Sequence, residues 1–109
     1  MTSNYALCMK ERYGYEVIEH GFGFLTYRID GDICTAIEIF VRKENRGGEH
    51  WKLLWQELHE ICRAASARSI IGFVDTTKPD PTSRLLAYLR YGAKIKEVNA
   101  GLIILEWSV

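Results

Sequence analysis

The sequence lacks a net charge: 14 basic residues balance 14 acidic ones, so nothing in its bulk draws it to nucleic acid or to an anionic membrane. Lys10, Arg12, Arg42, Lys43 and Arg46 are interleaved with acids and form no basic stripe. It lacks any apolar run near ~18 residues, which excludes a membrane-spanning helix. Met1 to Lys10 lacks the basic start and apolar core of a secretory leader. Cysteine is scarce. Cys8, Cys34 and Cys62 are odd in number and widely spaced, which argues against a disulfide framework and predicts reduced thiols in the cytoplasm. There is no repeat, low-complexity tract or linker, so 1–109 is expected to be one domain with one modest core.

Metal-ligand spacing is also missing. His50 and His59 are nine residues apart, roughly half a turn out of phase on a helix of 3.6 residues per turn. His59, Glu60 and Cys62 have no second ligand set, and His20 sits in a glycine loop. No metal site is expected.

What is present organises around Thr35–Ser66. Thr35–Val41 is a β-branched, apolar run. Arg42–His50 is a charged loop with paired glycines. From Trp51, apolar residues fall at Leu54, Trp55, Leu58, Ile61, Cys62 and Ala65, the spacing of an amphipathic helix, predicted here over Gly48–Ala67. Strand, glycine loop and helix form a device for holding an anion, because the first N–H groups of a helix have no internal partner. Arg46, Gly47 and Gly48 are the candidate phosphate cradle.

Around this stretch, Asn4–Arg12 reads as a helix capped by Ser3 or Asn4 and stopped by Gly14. Tyr15–Glu19 and Phe24–Ile29 read as strands, and Asp30-Gly31-Asp32 turns the latter into a hairpin with Ile33–Val41. Ile70–Val74 is continuously apolar, as for a strand buried on both faces. A second helix is expected from a cap at Thr82 or Ser83 to Gly92. Ala93–Val98 and Leu102–Trp107 form a last hairpin. The result is an α+β, mixed α/β sandwich with helices on a largely antiparallel sheet, in which strands 35–41 and 70–74 are parallel neighbours.

Glu38 stands mid-strand between Ile37 and Ile39. Period two places it with Phe40 on one face and Ile37, Ile39 and Val41 on the other. It is either a general base or a residue of a solvated face. Trp51, Trp55 and Trp107, with Tyr13, Tyr15, Tyr27 and Phe22, are candidates for a binding platform. Trp51 and Trp55, four apart, share a helix face, as core or as an aromatic patch for a protein partner.

The run Ile39-Phe40-Val41 followed by Arg42–Gly47, and the run Leu85-Leu86-Ala87-Tyr88-Leu89-Arg90-Tyr91-Gly92-Ala93 with Tyr88 four residues before its glycine, resemble two signatures of the GCN5-related N-acetyltransferases (GNAT superfamily). The resemblance spans about Tyr15–Val109. It implies a GNAT-like fold and acetyl-coenzyme A beside strand 35–41, against Phe40 and Val41, with its diphosphate at Arg46–Gly48. It also implies a primary amine as acceptor and Tyr88 as the acid that reprotonates the leaving thiolate, with Tyr91 as a second candidate. The phosphate signature departs from the family's at Glu49 and Trp51, where small residues are expected, and Pro81 stands near the family's Asn. Two functions follow from the resemblance. One is an acetyl-coenzyme A-dependent N-acetyltransferase. The other is a weakly active or non-catalytic GNAT-like protein serving assembly through a protein partner or a second copy. Tailed-phage products include compact proteins of the latter kind, some inside virions, which would place the chain in the host cytoplasm or the virion.

Overall fold

The computed structural model describes residues 2–109. In order, the elements are helix α1 (Asn4–Tyr13), strands β1 (Glu16–His20), β2 (Gly23–Asp30) and β3 (Ile33–Val41), a 3-10 turn at Lys43–Asn45, helix α2 (His50–Ala64), strand β4 (Ser69–Asp75), helix α3 (Pro81–Arg90), and strands β5 (Lys94–Asn99) and β6 (Leu102–Ser108). The strands form one mixed sheet in the order β1-β2-β3-β4-β6-β5. All pairs are antiparallel except β3–β4, which the α2 crossover makes parallel, as expected.

Local chemistry sets the boundaries. The Ser3 Oγ accepts the Ala6 N–H at 3.0 Å and caps α1. Gly14, at φ 72°, closes that helix by donating its N–H to the Lys10 carbonyl. Helix α2 is shorter than expected at both ends. Gly47 takes φ 80° and delays the helix start to His50. At the other end Ser66 takes φ 60°, and the Ala67 N–H bonds back to the Cys62 carbonyl. Helix α3 starts at Pro81, not after Thr82 or Ser83. The proline supplies the first helical φ and pushes Asp80 out of the helical region, to φ 59°.

One sheet face is covered by α2 and α3. Leu54, Trp55, Leu58 and Cys62 of α2 pack there against Leu25, Tyr27, Cys34, Ile70, Leu105 and Trp107. Full burial of each leucine contributes about 1.5–3 kcal/mol. Cys34 and Cys62 are free thiols within this core, and their mutual hydrogen bond together with burial pushes Cys34 upward. The other face carries α1 at its β1–β2 end, where Tyr5 packs on Phe24 and Phe24 on Phe40. Strand β4 is therefore not buried on both faces: Ile70, Gly72 and Val74 face the core, while Phe73 is 41% exposed on the side that α1 does not reach.

Strand β3 is irregular in two ways. It pairs with β4 only over Ile33–Thr35 against Ser69–Ile71, then diverges. Against β2, the register jumps from Ala36↔Tyr27 to Glu38↔Thr26, leaving Ile37 as a β-bulge. The bulge breaks the simple alternation. Cys34 and Ala36 face the helices before it, and Ile39 and Val41 face them after it, so Ile37 does not share a regular face with those two.

Candidate functional site

Beyond Thr35 the middle of the sheet opens into a slot. Its walls are the unpaired main-chain edges of β3 and β4, and its roof is α2 and α3. An unpaired edge inside a sheet is unusual, because backbone N–H and C=O groups are otherwise bonded across strands. Two cavities follow the slot. The larger, about 320 Å³, lies between Ala36–Ile39 of β3 and Gly72–Phe73 of β4 and reaches Trp55, Trp107, Lys78, Arg84 and Tyr88. The other, about 280 Å³, runs from Ile39 and Val41 to Asn45, Arg46 and Gly47, bounded by Trp51 of α2 and by Ser83, Arg84, Ala87 and Tyr88 of α3. Ile39, Arg84 and Tyr88 line both and mark their junction.

Tyr88 stands at that junction on α3 because one helical turn brings it onto the face already occupied by Arg84. Its ring is wedged among Trp55 at 6.0 Å, Trp107 at 5.4 Å and Trp51 at 6.2 Å between centroids. Burial pushes its phenol above the ordinary value near 10, and Arg84 opposes the shift. Tyr27 is also raised, by burial first and then by the Glu16 carboxylate. A raised tyrosine contributes stability that is fully present below its unfolded value and is lost as pH rises through the folded one. The midpoint of urea unfolding is therefore expected to fall between neutral pH and about pH 11, with a shallower fall in Tyr27→Phe; an equal fall in that variant would remove Tyr27 as a cause.

The slot gathers Val41, Arg46, Gly47, Tyr88 and Glu38. Glu38 sits at the wall of the larger cavity with its side chain in solvent. Gly47 needs its φ of 80°, which only glycine adopts without strain. Arg46 is already engaged: its Nε–H donates to the Val41 carbonyl at 2.8 Å, and its guanidinium lies over the Phe40 ring at 5.6 Å. Three sequence candidates stand outside. Phe40 turns its ring to the α1 face and stacks on Phe24, because it falls out of phase with Ile39 and Val41. Gly48 lines neither cavity, and neither does Tyr91, which packs on Trp51 at 5.1 Å.

The two residues expected to obstruct a diphosphate are both displaced from the slot's axis. The Trp51 indole leans on Tyr88 and Tyr91 and walls the cavity without filling it. The Glu49 carboxylate turns outward to Lys52 at 3.3 Å. No side chain caps the start of α2, so its first N–H groups have no side-chain partner. Sequence reasoning missed Arg84, Lys78 and the Ile37 bulge, and placed Trp107 only among aromatics that could form a binding platform. Arg84 had a readable signal, its i, i+4 spacing to Tyr88; the other three are set by tertiary packing. Among the described residues no three His, Cys, Asp or Glu side chains are grouped to hold a metal ion, and no helix is long and apolar enough to cross a membrane.

No protein-family model matches the chain, and no curated protein is significantly similar to it. Solved structures do match. A GNAT family acetyltransferase from Elizabethkingia anophelis with acetyl-CoA bound superposes with a TM-score of 0.75 at 13% identity, over 98% of this chain and 84% of that one. The IAA acetyltransferase from Bacillus cereus gives 0.73 at 13%, over 98% and 85%. The PaiA N-acetyltransferase from Thermoplasma acidophilum, in complex with coenzyme A, gives 0.73 at 16%, over 81% of this chain but only 54% of that one. The chain thus spans about half the length of the Thermoplasma enzyme. The fold is that of the GNAT acetyltransferases.

Proposed function

We propose that the chain binds acetyl-coenzyme A in the slot between β3 and β4 and passes the acetyl group to a primary amine, with a weakened hold on the coenzyme's diphosphate. The observation that carries this reading is the slot: two facing rows of unpaired main-chain groups that lead from the Arg46–Gly47 loop to Tyr88. The coenzyme A and acetyl-CoA held by the Thermoplasma and Elizabethkingia proteins support it. The residues present fit such a group. The β3 and β4 edges offer N–H and C=O partners to an extended, amide-bearing arm, as an exposed sheet edge does for a peptide. The open N-terminus of α2 offers donors to a diphosphate.

When bound, the coenzyme supplies an activated thioester. The chain's own groups do the rest. Glu38, a carboxylate at the wall of the larger cavity, takes the proton of an incoming ammonium. Tyr88 keeps its proton at neutral pH and presents it at the junction of the two cavities. The open α2 end is opposed by Glu49, whose charge repels a diphosphate. Its contact with Lys52 and its exposed position hold that penalty near the low end of the ~1–4 kcal/mol range for a like-charge contact. The double variant Glu49→Gly, Trp51→Gly is expected to bind acetyl-coenzyme A about tenfold more tightly by calorimetric titration. An unchanged dissociation constant would reject the weakened-loop account, and the absence of heat from either protein at millimolar ligand would reject binding altogether.

One observation favours a second reading, an assembly role without catalysis of the kind known among phage virion proteins. The sheet face beyond α1 leaves Phe73 41% and Leu102 39% exposed on adjacent strands, an apolar surface suited to a second copy. Sedimentation that stays monomeric at high concentration would dismiss it.

A further inference from the structure

We infer that the amine accepted in the larger cavity also carries a carboxylate, as an α-amino acid does. This deepens the acetyl-transfer reading and rests on it. Among the side chains of the cavity wall, donors outnumber acceptors. Trp55 and Trp107 line the cavity and are 1% and 2% exposed. The Nε1–H of each indole is buried without a partner. An indole N–H only donates, as do ammonium and guanidinium groups. Lys78 and Arg84 line the same cavity, and among the described residues neither forms an ion pair. Arg84 gives one N–H to the Pro79 carbonyl at 3.0 Å, which leaves most of its fork free.

The acids nearest these cations in the chain are Asp80 and Asp75. Neither lines the cavity, and among the described residues neither forms an ion pair. Asp75, whose charge both cations feel, is held first by Thr77. The Asp75 Oδ1 accepts the Thr77 N–H at 2.9 Å and the Thr77 hydroxyl at 2.6 Å. Of the six polar side chains on the wall, four are donors only, Tyr88 can do either, and Glu38 alone is a carboxylate. A simple amine would satisfy Glu38 and leave two cations unmet. An amine with a carboxylate meets both signs at once: ammonium to Glu38, carboxylate to Lys78 and Arg84. Ile37 and Phe73 leave an apolar wall for a side chain. The volume, about 320 Å³, lies in the range of small-molecule sites.

The test is a titration of isotope-labelled protein, with and without desulfo-coenzyme A, using L-leucine, L-phenylalanine and L-glutamate, each against its α-amide. The free acids are expected to bind about fivefold more tightly than the amides, the upper size of one partly exposed ion pair. They should also move the indole N–H resonances of Trp55 and Trp107. Lys78→Ala combined with Arg84→Ala should bring the acid-to-amide ratio close to one, and Lys78→Arg alone should keep it. Equal binding of acids and amides by the parent protein, or a ratio that survives loss of both Lys78 and Arg84, would overturn the inference. Because the acid-to-amide ratio is read without turnover, it decides this point even if acetyl-coenzyme A itself fails to bind.

Discussion

Gly23→Ala is expected to lower the melting temperature by about 12–24 °C, the equivalent of about 3 kcal/mol of overpacking strain in a domain of this size. The cause is space, not backbone conformation. A Cβ at Gly23 would stand 2.1 Å from the Phe40 carbonyl oxygen and 3.0 Å from the Val41 Cα. Those atoms are main chain of β3 and cannot swing away as the tip of a side chain can. The ladder must open where Gly23 pairs with Val41, next to the bond from the Arg42 N–H to the Phe22 carbonyl. Gly21, in the same turn, meets nothing within 4 Å, so Gly21→Ala is the matched control, expected within about 0.5 kcal/mol of the parent. Thermal unfolding of the two variants side by side is decisive: coincident curves would show that β3 yields at that end. Val41 lines the smaller cavity, so under the proposed acetyl-transfer function Gly23→Ala should also weaken coenzyme binding at temperatures where the variant is still folded.

That close approach at Gly23 is invisible in a single sequence, and it illustrates which parts of this molecule could be read in advance. Periodic features were legible. The stripe Leu54, Trp55, Leu58, Cys62 is buried where its spacing places it, and Asp30-Gly31-Asp32 turns the hairpin it announces. Element order and the parallel β3–β4 neighbours followed from lengths and turn residues. Features that depend on where strands separate were not legible. Thr35–Val41 is uniformly β-favouring, so nothing local marks Ile37 as the bulge or Thr35 as the last paired residue. A continuous apolar run such as Ile70–Val74 reads alike whether one face or two are covered. Pro81 was a readable helix start, since proline favours the first helical position, but Thr82 and Ser83 offered a competing cap that the structure does not use. At the site, Val41, Arg46, Gly47, Glu38 and Tyr88 converge. Lys78 and Trp107 join them only because a loop and the last strand fold over the slot.

Tyr88→Phe is expected to lower the turnover number for acetyl transfer by about 10²–10⁴-fold, or about 3–5 kcal/mol of transition-state stabilisation, with little change in coenzyme affinity. The substitution removes one hydroxyl and keeps the ring that packs against Trp51, Trp55 and Trp107. Folding stability should therefore stay within about 1 kcal/mol of the parent, and a lost rate could not be blamed on a lost fold. The protonation state adds a second readout. Burial raises the Tyr88 phenol, so the neutral, donating form persists through neutral pH. The rate of the parent should decline only as pH passes above the ordinary tyrosine range. In Tyr88→Phe the slow residual rate should lack that alkaline limb. Tyr91→Phe separates the two phenols: Tyr91 lines neither cavity and stands at the C-terminal cap of α3, so its loss should leave the alkaline limb in place. Full turnover in Tyr88→Phe, or an alkaline limb that disappears with Tyr91 instead, would move the proton donor away from the junction of the two cavities. The slot would then be a binding cleft whose chemistry lies elsewhere along α3.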